Sequence, residues 1–92
     1  TENFRAAVVS AQSFLENYPL SKFKEEAVYL LVKNSYLLTI NSIENKKMER
    51  IEQTIERYRT FVTEFPNSKF KNELTQINDK MNKELQNFNS GK

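Results

Sequence analysis

Phe14 to Ala27 reads FLENYPLSKFKEEA, and 47 residues later Phe61 to Leu74 reads FVTEFPNSKFKNEL. Seven of the fourteen positions are identical: the leading Phe, the proline, the serine two residues beyond it, Lys-Phe-Lys and a Glu. A proline pushes the residue before it out of helical geometry, so one helix is expected to end at Tyr18 and another at Phe65. Ser21 and Ser68 then stand where a hydroxyl caps the helix that follows. A repeat punctuated in this way points to stacked helical units whose apolar faces are buried by their neighbours.

Working outward from the two corners, the sequence divides into four helices, at about 3–18, 21–43, 48–65 and 68–88, within a single domain spanning 1–92. The middle turn is expected in Asn41 to Lys47, which has no Gly or Pro but is polar and rich in Asn; a kinked or continuous helix is the alternative there. At about 100° per residue, Phe23, Ala27, Leu30, Leu31, Leu37 and Leu38 fall on one side of the second helix. Val28, Tyr29, Val32, Tyr36, Ile40 and Ile43 fall on the other. Lys24, Ser35 and Ser42 form one polar seam between them, Glu26 and Lys33 the other. Two opposed apolar faces imply a helix packed between neighbours.

The fourth helix carries one stripe, Phe70, Leu74, Ile77, Met81, Leu85 and Phe88, in otherwise polar surroundings. That is the pattern of a terminal helix in a stacked array, wet on its outer side. The first helix has Phe4, Ala7, Val8, Ala11, Phe14, Leu15 and Tyr18, with Ala6 and Val9 off the stripe, and reads as having no polar outer face. The expectation is a natural end at the C-terminus, a cut at the N-terminus, and self-association through the exposed first helix.

Composition narrows the function. Leu, Ile, Val and Phe fill 25 of 92 positions, enough apolar content to fold. One Gly and two Pro are too few corners for a β-sandwich or barrel. The absence of His and Cys excludes thiol and imidazole catalysis, disulfides, zinc sites and imidazole-ligated metals. With Gly91 as the only glycine no Gly-rich phosphate loop exists, and the serines have no imidazole partner for a hydrolytic triad.

Carboxylates remain, eleven Glu and one Asp, but no pair is distinguished for acid and base work. Glu25 with Glu26, and Glu49 with Glu52, read as dipole-favoured charges at helix starts. Asp79 with Lys83 and Glu56 with Arg59 have the spacing of helix-surface ion pairs. No EF-hand-type calcium loop is present. The reading is therefore of a protein that is not an enzyme, with no catalytic residue, cofactor or metal, and with partner-binding residues unassigned.

The net charge is +2 and spread along the chain, unlike the clustered basic face of a nucleic-acid binder. Lys22, Lys24, Lys69 and Lys71 recur with the repeat, but Glu25, Glu26 and Glu73 dilute their field. Helical spacing assigns nearly all eleven aromatics to the core. The longest apolar run, Ala27 to Val32, is six residues, far from the roughly 18 to 20 that span a bilayer.

The architecture these readings add up to is an all-α, tetratricopeptide-like α-solenoid fragment of about four antiparallel helices. Its 47-residue interval exceeds that class's usual length of about 34, through longer helices or an insertion at Asn41 to Lys47. Solenoids of this kind bind peptides and partner domains in grooves between their hairpins.

The two corner segments, with Asn41-Ser-Ile-Glu-Asn-Lys-Lys47 and Tyr58 to Phe70, give the chain a closer likeness over roughly residues 3 to 85. It resembles the BamD-like (YfiO-like) tetratricopeptide lipoproteins of the bacterial outer-membrane β-barrel assembly machinery, in particular the C-terminal repeats of their Bacteroidetes-type versions. The resemblance implies a non-catalytic scaffold on the periplasmic side of the outer membrane. Its partners would be the POTRA domains of the barrel-forming protein, other assembly lipoproteins and, through upstream repeats, unfolded barrel substrates. Membrane attachment would come only through an upstream lipidated cysteine. Other periplasmic tetratricopeptide adaptors, such as a cell-division coordinator, share proline-ended corners; a small helical RNA-binding module is the reading from a different class.

Overall fold

The computed structural model describes residues 2–90, so Thr1, Lys92 and the lone glycine, Gly91, lie outside it. Its helices are α1 (Glu2–Asn17), α2 (Lys24–Ile40), α3 (Glu44–Glu64) and α4 (Lys71–Ser90). Each packs on the next, and α2 also reaches α4. The fold is all-α and tetratricopeptide-like. Helices of 16 to 21 residues are about 24 to 32 Å long at about 1.5 Å per residue. The extents of 44 × 28 × 16 Å are those of a flat stack with its helices laid side by side.

Both proline corners fold the same way, bond for bond. The Tyr18 and Phe65 amides each close the last helical turn on Phe14 and Phe61 carbonyls at 2.8 Å. Ser21 and Ser68 then donate their amides to the Tyr18 and Phe65 carbonyls, each at 3.1 Å. Their hydroxyls accept the amides of Phe23 and Phe70, each at 3.0 Å. The serine hydroxyls therefore close a tight i to i+3 turn, completed by Lys24 and Lys71 at 3.1 Å each, and do not cap the regular helix itself: Phe23 precedes α2 with no side-chain cap bond. Regular helix consequently starts at Lys24 and Lys71, three residues later than at 21 and 68.

The middle turn is shorter than the sequence suggests. Ile43, extended at φ −74° and ψ 161°, is the break, and α3 is already helical from Glu44 instead of 48. Asn41 and Ser42 end α2 by donating from their side chains to the Leu37 and Leu38 carbonyls. Asn45, Lys46 and Lys47 are polar because they are exposed or half-buried helix, not because they turn. Glu49 and Glu52 accordingly sit beyond the first turn of α3, past the reach of the favourable dipole end.

The two-faced reading of α2 holds in its interior. Leu31 and Leu38 pack with Val8 and Ala11 of α1. Val28 and Val32 enter the main core with Ile51, Ile55 and Phe61 of α3 and Leu74, Ile77 and Met81 of α4. It does not hold for Phe23, Leu30, Ile40 and Ile43, which are exposed. The expectation of an α1 without a polar outer face is corrected too. Its exposed side carries Arg5, Ser13 and Glu16 beside Ala6 and Val9.

A polar seam runs along the α2–α3 contact. Thr39 donates to the Ser35 carbonyl at 2.7 Å and Thr54 to the Arg50 carbonyl at 2.9 Å. Each hydroxyl has one proton, so the 3.2 Å approach of the two oxygens is a contact permitted by helix bonding and adds no donor of its own. Next along the seam, Arg57 donates to the Ser35 hydroxyl at 2.7 Å. Partial burial holds the Arg57 guanidinium below its ordinary value. An arginine starts so high that it remains charged.

Candidate functional site

The repeat that shapes the corners also creates two helix seats, and only one is filled. The filled seat lies between α3 and α4. Thr54 and Arg57 of α3 meet Thr39 and Ser35 of α2, while Phe61, Leu74, Ile77 and Met81 close around Val28 and Val32. At its rim Tyr29 stacks on Phe70, ring centroids 4.0 Å apart and 14° from parallel. The Tyr29 hydroxyl donates to the Glu73 carboxylate at 3.0 Å, and Lys33 approaches the same carboxylate at 3.2 Å.

Lys33 also donates to the Tyr29 hydroxyl at 3.2 Å. That hydrogen bond first, then the bond to Glu73 and its charge, hold the ammonium above its ordinary value. A value raised in the folded state means this contribution is whole below the range of an unfolded lysine and is lost as pH climbs through the folded value. Thermal stability should thus fall more steeply above about pH 10.4 in the native chain than in a Lys33→Met variant. Identical alkaline slopes in the two melting series would show that the triad contributes nothing. Both side chains are nearly half-exposed, so solvent screens the effect.

The second seat, between α1 and α2, stands open as a groove of about 450 Å³. Ala7, Ala11 and Phe14 line one wall, Phe23, Ala27 and Leu30 the other, with Glu26 on the rim. Around the first corner, Tyr18 is 60% and Leu20 97% exposed, and the Tyr18 ring lies 5.3 Å from that of Phe14 on the groove wall. Sequence spacing placed these aromatics in a core. Only Phe61 among the aromatics is fully buried, and Tyr18 and Phe23 face out.

Three of the four repeat lysines have side-chain partners. Lys22 and Lys69 each lie 5.3 Å from the ring centroid of the following phenylalanine, and Lys24 pairs with Glu64 of α3 at 2.7 Å. Of the surface pairs expected from spacing, Glu56 with Arg59 forms at 3.0 Å. Asp79 with Lys83 does not; the described ion pairs otherwise join different helices. Lys80 lies instead over the Tyr36 ring, at 5.7 Å. Among the described residues no group of three or more Asp or Glu is placed to hold a metal ion, and no helix is long and apolar enough to cross a membrane.

What this arrangement offers chemically is shape and apolar surface: one helix seat in use, its repeat image vacant, and three ion pairs that tie helices together. No curated protein and no solved structure matches the chain. A family model does, over residues 1–89, which takes in both corners and all four helices up to the last residue of α4. On that match the chain belongs to the YfiO family, described as outer membrane lipoprotein.

Proposed function

We propose that these 92 residues act as one repeat domain, a non-catalytic protein-interaction scaffold in outer-membrane β-barrel assembly, at the periplasmic side of the outer membrane. In this reading they dock on the POTRA domains of the barrel-forming partner. The observation that carries it is the family match across nearly the whole chain. The physical chemistry agrees in kind: stacked helices with apolar surface left at Tyr18, Leu20 and Phe23 make a surface for another protein.

Calorimetric titration with the POTRA domains of the cognate barrel-assembly protein, at physiological salt, tests the docking role. Saturable one-to-one binding is expected. A well-folded chain that gives no heat and no co-elution with those domains would remove docking by these residues from the proposal.

A further inference from the structure

The C-terminal half of α2 borders a cleft that the docking role leaves unused. It has a volume of about 220 Å³ and opens between Tyr36 and Ile40 of α2, Lys47 of α3, and Lys80, Lys83 and Glu84 of α4, over buried Met81. Three ammonium groups against one carboxylate leave the cleft at +2, as large as the net charge of the whole chain. That carboxylate is not closely matched to any of them. Lys47 stands 4.0 Å from Glu84, at the outer limit of an ion pair. Lys80 and Lys83 make no ion pair among the described residues, although Asp79 precedes Lys83 by one helical turn. Lys80 lies instead over the Tyr36 ring. Like charges gathered around a concave, partly apolar wall raise the local potential, so the cleft attracts an anion.

Exposed isoleucines stand beside it. Ile40 is 44% exposed on the cleft wall and Ile43 is 66% exposed in the turn that follows. Lysines flanking exposed apolar side chains make a surface suited to a membrane interface. The apolar groups enter the boundary of the acyl chains, while the lysine stems reach up to the phosphates. An acidic protein segment would satisfy the lysines but leave Ile43, outside the cleft lining, in water. The family description, outer membrane lipoprotein, names the surface within reach.

We propose that the cleft of Lys47, Lys80 and Lys83 seats the phosphate of an anionic phospholipid headgroup, with Ile40 and Ile43 entering the membrane boundary beside it. This contact is additional to any lipid anchor. It rests on family membership and not on POTRA docking, whose apolar surface includes Phe23, at the opposite end of α2 from Ile40.

The probe is a vesicle of phosphatidylglycerol and phosphatidylcholine in equal parts, sedimented with the 92-residue chain at about 0.1 M salt, where screening confines each charge to about 10 Å. The chain should co-sediment with these vesicles and not with phosphatidylcholine alone. Lys80→Gln and Lys83→Gln should each weaken binding by about 5-fold, the effect of one lysine beside an anionic surface. Ile43→Ser should weaken it by about 5- to 10-fold, through the loss of one apolar side chain from the boundary. Lys71→Gln, the same charge change at the second corner, should leave affinity within about 2-fold. All four side chains are exposed, so the variants should melt as folded protein. No co-sedimentation, binding to phosphatidylcholine alone, or an equal loss from Lys71→Gln would overturn the proposal. So would displacement from the vesicles by millimolar inorganic phosphate, which would mark a soluble-anion site, or tighter binding of a glutamate-rich peptide, which would mark a protein-docking one. None of these outcomes bears on the calorimetric titration with POTRA domains.

Discussion

Replacing Phe61 by alanine should cost about 3 to 5 kcal/mol, whereas the same change at its repeat partner Phe14 should cost about 1 to 2 kcal/mol. The two residues open matching segments and make similar aromatic pairs, Phe61 with Phe65 at 5.7 Å and Phe14 with Tyr18 at 5.3 Å. Their surroundings differ. Phe61 has no exposed surface and lies in the main core, while Phe14 is half-buried on the wall of the open groove. Removing the first ring leaves a cavity enclosed by three helices; removing the second widens a surface cleft. For a chain of this size the larger loss is a big share of a total stability of about 5 to 15 kcal/mol. Urea midpoints at constant slope measure both, and Phe61→Leu supplies a milder variant that stays folded. Equal losses at the two positions would mean that the α1–α2 side is closed and the asymmetry between the seats is wrong.

Leu31→Ala and Leu38→Ala should each cost about 2 to 5 kcal/mol, and both should loosen α1 before the rest. These leucines are only 9% and 8% exposed, and with Val8 and Ala11 they make up the small cluster that holds α1 on the stack. Val32, one residue from Leu31, faces the main core instead. Hydrogen exchange should therefore show α1 amides losing protection in both leucine variants while those of α3 and α4 keep most of theirs. Lys80→Ala, which removes only a cation poised over Tyr36, is the control and should cost well under about 1 kcal/mol. Melting temperatures that match across all three variants, or protection lost evenly over the four helices, would refute the assignment of α2's two faces.

The punctuation of the fold was legible because it is local. Pro19 and Pro66 act on the residue before them, and Ser21 and Ser68 on amides two residues ahead, so the helix ends could be placed within one residue and the restarts within three. The middle turn was less legible because polar Asn and Lys residues serve equally in a turn and on a wet helix face. Nothing in Asn45 to Lys47 distinguishes the two, and the break falls earlier, at Asn41 to Ile43, where Asn41 leaves the helix and Ile43 is extended. The candidate groove was hidden for a related reason. Helical spacing shows that Phe23 and Leu30 share a side with Leu31, but not that both are exposed.

By itself the sequence determined four helices, two like corners, a two-faced second helix, a fourth helix wet on one side, and the exclusion of thiol and imidazole chemistry. Each follows from residue types, their spacing or their absence. Tertiary structure alone decided that two like corners lead opposite lives, Phe70 stacked under Tyr29 and Phe23 open to solvent. It also decided that Lys24, Lys33 and Lys47 find carboxylates on other helices in place of neighbours along their own. The physical reason is that burial and ion pairing depend on what a neighbouring element brings within a few ångströms. A repeat encodes the shape of each seat, but not whether a helix is there to fill it.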